Sequence, residues 1–401
     1  MPKILRIINR FNLGGPTYNA AYLSRYMPSE FETLLVGGEK DDSEDSSEFI
    51  VKNLGLDPII IPEMKREIDL KNDFEAYRKM VKLIQDFKPD IVHTHASKAG
   101  TIGRLAAANM NVPVIIHTFH GHVFHSYFGK MKTVMYKNIE RNLARRSSTI
   151  IAISEKQKTE LCLIHRICKP EKIRVVPLGF DLSRFTENME EKRKSFRSRY
   201  HLADDEIAVG IIGRLVPIKN HKLFIEACKL VLDQTKNKVR FFIIGDGEDR
   251  LTIEAMAREA GIPFVDAMLS NDKAPLTFTS WIKDIDVACA GLDIIALTSL
   301  NEGTPVSLIE AQAANKPIVT TNVGGIENVV IEGVTALLSH SKTDPKQFAD
   351  LLLRLTENAD LRTEMSRVGW EHVKNKFHYT RLVRDMTELY YELLETASAK
   401  V

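Results

Sequence analysis

The chain is 401 residues long, 44% hydrophobic and 27% charged, with a formal net charge of +2. Single cores rarely grow past ~250–300 residues, so this length implies two domains. The composition is that of a soluble globular protein, and the near-neutral total excludes a dedicated nucleic-acid binder. Four cysteines, Cys162, Cys168, Cys228 and Cys289, show no metal-ligand spacing and read as reduced thiols of a cytoplasmic protein. The N-terminal MPKILRIINRFNLGGP enters a strand-like run directly, without the apolar core and cleavage site of a signal peptide. No apolar stretch approaches the ~18 residues of a membrane span, so any membrane contact is expected to be peripheral.

Strands and helices alternate along the chain. Short apolar strands are expected at Ile4–Ile8, Glu32–Val36, Pro58–Ile61, Ile91–His95, Val114–Thr118, Ile150–Ile153 and Ile173–Val176. Helix-like segments at Asn19–Tyr26, Phe74–Phe87, Thr101–Met110 and Lys130–Arg146 lie between several of them. Asp181-Leu182-Ser183-Arg184-Phe185 and a highly charged stretch to about Asp205 read as a linker. A second series follows at Ile207–Ile212, Val239–Ile244, Pro263–Asp266, Ile294–Leu297, Pro317–Thr320 and Ala336–Leu338, with helices around 221–233, 249–260, 305–314, 325–332, 345–356 and 360–375. Strands that are continuously rather than alternately apolar suggest parallel sheets covered on both faces. The fold class is therefore α/β, with two doubly wound domains at 1–185 and 206–378. A last helix, 379–401, is placed to cross back onto the first. Ligands of such sheets bind beyond the carboxyl ends of the strands, and two such domains facing each other would form a cleft.

The most informative stretch is Asn301-Glu302-Gly303-Thr304-Pro305-Val306-Ser307-Leu308-Ile309-Glu310, which follows the apolar run Ile294–Leu297. Thr304 suits a helix cap and Pro305 a first helical position. The amides of Val306, Ser307 and Leu308 are then left open to an anion, typically a phosphate. Two carboxylates beside such a cradle fit a ligand that also carries hydroxyls, as a nucleotide sugar does. Arg214 and Lys219, in Gly213-Arg214-Leu215-Val216-Pro217-Ile218-Lys219-Asn220-His221, leave a strand end as a planar fork and a compact charge suited to a diphosphate.

Weaker signals accompany these. Gly245-Asp246-Gly247-Glu248-Asp249 is either a ligand-approaching turn or an ordinary strand-to-helix turn. Gly14-Gly15-Pro16-Thr17 lets backbone approach a phosphate or acceptor, or merely turns the chain. His93, His95, His117, His120, His122 and His125 cluster without local acidic partners, which disfavours a metal site. His120, between Phe119 and Gly121, is the best candidate to enter a cleft, whereas strand-end packing suits His93 and His117. Ser154 reads as a helix cap. Phe278-Thr279-Ser280-Trp281-Ile282-Lys283-Asp284 is either a wall for a nucleobase or plain packing. From Lys98 to Arg174 there are 14 Lys/Arg against 4 Glu, a local excess of +10, read as a solvated helical surface or as a face for anionic lipid or a phosphorylated acceptor.

In order and identity these motifs resemble glycosyltransferase family 4, retaining enzymes of GT-B fold, over nearly the whole chain. The resemblance is carried by the Gly14-Gly15 loop, the His120 loop, Gly213-Arg214 with Lys219, the Gly245-Asp246-Gly247 turn, the E-x7-E spacing of Glu302 and Glu310, and Gly324-Gly325. The segment His117 to Phe128 looks like those of bacterial polysaccharide enzymes. The resemblance implies that Arg214 and Lys219 hold a donor diphosphate, and that Glu310 binds ribose hydroxyls. It implies that Glu302 binds donor-sugar hydroxyls near C3 or C4, while Thr304, Pro305, Val306, Ser307 and Leu308 present backbone to sugar and phosphate. It further implies that Ile282 lies near the base, His120 near the sugar's C6 side, and Gly15 and Gly213 where backbone meets ligand. The expected activity is metal-independent transfer of a hexose or N-acetylhexosamine from a UDP-sugar, without a bound cofactor, to a glycan or lipid-linked acceptor in surface-polysaccharide synthesis. The expected place is the cytoplasm, at the inner face of the membrane. A nucleotide-sugar epimerase of the same fold, and a non-catalytic nucleotide-sugar-binding subunit, are the alternatives. A glycosidase reading of the two glutamates is weaker, because glycosidases need no paired diphosphate-binding cations.

Overall fold

The structure, a computed structural model, describes residues 1–11, 15–39, 48–65, 69–120 and 130–399. The chain divides into two compact units, Met1–Phe180 with Lys376–Val401, and Asp181–Asn375.

The first unit holds seven parallel strands: β1 (Lys3–Arg10), β2 (Glu32–Gly38), β3 (Ile59–Ile60), β4 (Ile91–His95), β5 (Val114–Phe119), β6 (Thr149–Ala152) and β7 (Ile173–Val175), in the order β3-β2-β1-β4-β5-β6-β7. β4, β5 and β6 are buried along their whole length, as strands covered on both faces must be. One face packs on the helices Leu70–Phe87 and Ser97–Asn109 through Ala76, Met80, Ile84, Ala99 and Ile102. The other receives the C-terminal helix Tyr379–Ser398, whose Leu382, Met386, Leu389 and Tyr390 join Ile4, Ile91, Val114 and Ile116 in one cluster. That helix is tied in where Phe180 N–H donates to Phe377 O (2.8 Å) and Tyr379 N–H donates to Phe180 O (3.0 Å).

The second unit repeats the plan with β8 (Ile207–Ile212), β9 (Val239–Ile244), β10 (Phe264–Asp266), β11 (Leu276–Ser280), β12 (Ile294–Leu297), β13 (Ile318–Thr321) and β14 (Ala336–Ser339), in the order β10-β11-β9-β8-β12-β13-β14. The direction of winding changes between β8 and β12. At such a switch point the loops leaving the two strands diverge and open a crevice at their carboxyl ends.

Two segments differ from the sequence expectation. The stretch 181–205 is not a linker: it lies in the second unit and contains the helix Met189–Arg199. Its alternation of charge and aromatic residues hides an anchored face. Phe196 packs against Phe242 with ring centroids 5.4 Å apart, seated where Gly291 has no side chain. Asp293 then receives Arg193 (2.8 Å), Arg197 (3.3 Å) and the Ala208 amide (2.8 Å) on one carboxylate. β11 also lay outside the expected strands. Leu276 and Phe278 are fully buried in the core of the second unit, so packing is the correct reading for Phe278 and the nucleobase-wall reading is not.

Candidate functional site

The loops that leave β8, β9, β12 and β13 interlock. A Cβ on Gly245 would fall 1.9 Å from the Gly213 carbonyl oxygen, and one on Gly247 would fall 2.4 Å from that of Leu215. Gly245 also stands at φ 140°, a region open to glycine. These turns therefore hold two strand ends in direct backbone contact. On the other side of the switch point a Cβ on Gly324 would lie 2.0 Å from the Glu302 carbonyl oxygen, while Gly325 N–H donates to that same oxygen (2.8 Å).

Lys219 ends the short 3-10 turn Pro217–Lys219 after β8, and Glu302 lies in the loop after β12. Lys219 Nζ donates to Glu302 Oε1 at 2.6 Å, across the switch point. Both side chains are largely covered, 21% and 11% exposed. Their loops are also joined by backbone: Leu300 N–H donates to Ile218 O (2.8 Å) and Thr298 Oγ1 donates to Lys219 O (2.9 Å). Ser299 Oγ donates to the same Glu302 Oε1 at 2.6 Å. Arg214 is exposed and its guanidinium makes no hydrogen bond or ion pair with any described residue, so its five donors are open. A cation held beside a carboxylate, with a second, exposed cation in the same loop after β8, can bind a ligand carrying both phosphate and hydroxyl groups.

The helix after Glu302 begins at Val306, with Pro305 in the cap position and no side-chain cap. Thr304 is thus not the cap, and Pro305 is not the first helical residue. The Pro305 carbonyl accepts from Leu308 N–H (3.1 Å), which removes Leu308 from the open amides and leaves those of Val306 and Ser307. Glu310 lies on this helix, its carboxyl without a hydrogen-bond partner among the described residues. Burial pushes its carboxyl up to about 7; Arg184 opposes that shift and Asp286 adds to it. Asp286 is itself paired with Lys192 (2.8 Å).

The other strand end in this unit carries Ile282. β11 closes on Ser280, which stands at φ 55°; its carbonyl accepts from Gly245 N–H (3.0 Å) and its hydroxyl donates to Asp246 Oδ2 (2.8 Å). Ile282 follows, half-buried in an otherwise exposed loop, its backbone amide and carbonyl unbonded to any described residue. Ser299 was not singled out in the sequence, nor were the pairings of Asp246 with Ser280 and of Arg184 with Asp286. A short polar residue directly behind a buried strand is the only local signal for Ser299.

In the first unit Gly15 opens the helix Gly15–Arg25; Gly14, Gly121, His122 and His125 lie outside the described residues. His93, His95 and His117 are buried, His93 in the middle of β4, His95 at its end and His117 within β5, so the strand-end expectation fails for His93 and His117. Arg6 Nη1 donates to His93 Nδ1 (2.9 Å), which puts the proton of that ring on Nε2, facing Thr118 Oγ1 at 2.7 Å. His95 Nδ1 lies 2.8 Å from His120 Nε2. Burial drives all four imidazoles well below the ordinary histidine value, His120 to about 3, so they are neutral rings near pH 7. Ser154 caps its helix, its Oγ accepting from Gln157 N–H (3.2 Å). Among the described residues no helix is long and apolar enough to cross a membrane.

Two seven-stranded parallel sheets with covering helices, and a cation–carboxylate pair at the switch point of the second, define a two-domain α/β protein of GT-B fold. Known proteins agree. Residues 13–184 match the family model "Glycosyltransferase Family 4" and residues 192–371 match "Glycosyl transferases group 1". The chain is 30% identical over 336 residues to the UDP-Gal:alpha-D-GlcNAc-diphosphoundecaprenol alpha-1,3-galactosyltransferase of Escherichia coli, covering 83% of each protein. It is 27% identical to the capsular polysaccharide biosynthesis glycosyltransferase CapM of Staphylococcus aureus, over 85% of this chain and 86% of that one. The crystal structure of Anabaena HepE in complex with UDP matches 97% of this chain and 100% of that one with a TM-score of 0.79 at 18% identity, a likeness of fold. The chain belongs to the GT-B glycosyltransferases related to family 4.

Proposed function

We propose that this glycosyltransferase moves a hexose or N-acetylhexosamine from a UDP-sugar to a glycan or lipid-linked acceptor of surface-polysaccharide synthesis, with retention at the anomeric carbon. The observation that carries this reading is the Lys219–Glu302 contact across the switch point, with the open Arg214 in the same loop as Lys219. The names of the Escherichia coli and Staphylococcus aureus relatives, and the UDP in the Anabaena complex, support the donor and acceptor classes.

In this mechanism the diphosphate leaves the anomeric carbon carrying growing negative charge. Arg214, Lys219 and the amides of Val306 and Ser307 meet that charge, and one preorganised donor of this kind is worth about 3 kcal/mol when removed. These cations do what a metal ion does elsewhere, so transfer proceeds without one. Glu302 accepts hydrogen bonds from hydroxyls of the sugar and Glu310 from those of the ribose, and Ile282 meets the base. The acceptor oxygen bonds to the anomeric carbon on the leaving-group face as the bond to the diphosphate oxygen breaks. The acceptor's proton passes to the departing phosphate, so no enzymic base is needed.

The test is donor turnover by Glu302→Ala and Lys219→Ala. A fall of about a hundredfold in both supports the assignment, and unchanged turnover in both overturns it. Conversion of donor with no acceptor would instead indicate an epimerase, and donor binding without turnover across an acceptor panel a binding subunit.

The acceptor is proposed to be met at an anionic bilayer. The helix Lys130–Arg146 exposes Val134, Met135 and Ile139 and ends on Arg145 and Arg146, within the basic 98–174 segment. Binding to anionic vesicles that weakens sharply with salt supports peripheral contact; salt-insensitive or absent binding refutes it.

A further inference from the structure

Glu302 is gripped by one oxygen only. Oε1 accepts both Lys219 Nζ and Ser299 Oγ, each at 2.6 Å, and no described residue occupies Oε2. The two donors differ in what they can do next. Lys219 carries three N–H groups on a flexible stem and is the group the proposed mechanism draws toward the diphosphate. Ser299 is fully buried and cannot follow a ligand. Its own position is fixed from the neighbouring strand, where Thr321 Oγ1, also fully buried, donates to Ser299 O at 2.7 Å. Ser299 sits two residues past the end of β12, on the rigid side of the loop that carries Glu302.

We propose that Ser299 is a positioning residue: its hydroxyl keeps the Glu302 carboxylate aimed, with Oε2 toward the transferred sugar, while Lys219 turns to the donor phosphates. The consequence is a division between the two parts of the donor. The diphosphate is held without Ser299, and the sugar is not. Ser299 therefore acts through Glu302 on sugar recognition, and through nothing else in the site. This inference rests on the donor-binding role given to Glu302 above.

The experiment compares the full-length wild-type protein, Ser299→Ala, Ser299→Thr, Glu302→Ala and the double variant Ser299→Ala/Glu302→Ala. Two probes are used in calorimetry: UDP, and whichever of UDP-galactose, UDP-glucose and UDP-N-acetylglucosamine shifts the melting temperature most. Ser299→Ala is expected to leave UDP affinity within twofold and to weaken the UDP-sugar about tenfold or more, the range of a hydrogen bond to a charged group. Ser299→Thr, which keeps the hydroxyl, is expected to recover most of that loss. On the Glu302→Ala background Ser299→Ala is expected to add nothing, because its only route is gone. Equal losses for UDP and UDP-sugar would show a merely structural role and overturn the proposal, as would additive losses in the double variant. If Glu302→Ala itself binds both probes like wild type, it is the site assignment that fails. If Glu302→Ala loses the sugar's contribution and Ser299→Ala does not, the inference alone fails.

Discussion

Gly325→Ala tests whether the glycine pair after β13 sets the position of Glu302. Gly325 stands at φ −94° and ψ 14°, backbone open to any residue, so the substitution brings no conformational strain of its own. Its new methyl carbon would lie 1.9 Å from the Gly303 carbonyl oxygen, where real contacts essentially never fall below 3.0 Å. One loop must retreat by about 1.1 Å, the difference between those distances. Gly325 N–H also donates to Glu302 O at 2.8 Å, so that retreat moves the backbone of Glu302. A displacement of about 1 Å at a catalytic group costs on the order of a hundredfold in rate. Overpacking of this kind destabilises by roughly 1–3 kcal/mol, or about 2–4 °C of melting temperature per kcal/mol for a unit of this size. The assay is turnover of the UDP-sugar beside a thermal melt, with Gly303→Ala as comparison, since a Cβ on Gly303 meets nothing within 4 Å. Gly325→Ala is expected to lose rate and several degrees, and Gly303→Ala to keep its melting temperature. Wild-type turnover and melting in Gly325→Ala would refute the packing argument.

Other outcomes are expected from the same structure. Lys219→Met should weaken UDP binding and cut turnover about a hundredfold, with Lys219→Arg retaining part of both; calorimetry with UDP measures the first directly. Asp293→Ala should cost about 3 kcal/mol, because it strands the buried Arg197 and releases Arg193; hydrogen exchange should show lost protection over 189–199, and unchanged protection there would contradict the anchoring of that helix. Glu310, raised from 4.5 to about 7, contributes stability that is fully present below pH 4.5 and lost as pH rises through about 7. Melting curves of wild type and Glu310→Gln between pH 4 and 8 should therefore diverge upward in pH, with the variant the flatter of the two; parallel curves would show that burial does not perturb this carboxyl.

Much of the fold was legible because continuous apolar runs record strands buried on both faces. Ile207–Ile212, Val239–Ile244 and Ile294–Leu297 fall where that pattern puts them. Leu276–Ser280 escaped because its threonines and serine break the apolar run, although Thr277 and Thr279 are buried with their hydroxyls hydrogen-bonded. The helix Met189–Arg199 escaped for a related reason: its arginines read as solvated charge until Asp293, about a hundred residues on, is brought beneath them. The helix start after Glu302 was misjudged by one residue, since Thr-Pro satisfies both a cap and a first-turn pattern and only the observed backbone separates them.

The sequence by itself determined the alternation of strand and helix, hence two parallel sheets, and it placed Arg214, Lys219, Glu302 and Glu310 in loops or helix starts after strands. Local periodicity and turn chemistry suffice for that, because they report which face of each element is buried and where it stops. Only the tertiary structure decided that Lys219 and Glu302, 83 residues apart, share a hydrogen bond. It alone set Ser299 behind that pair, and set Arg184 and Asp286 around Glu310. Which loops meet depends on strand order, and strand order is fixed by the packing of the whole sheet rather than by any one segment.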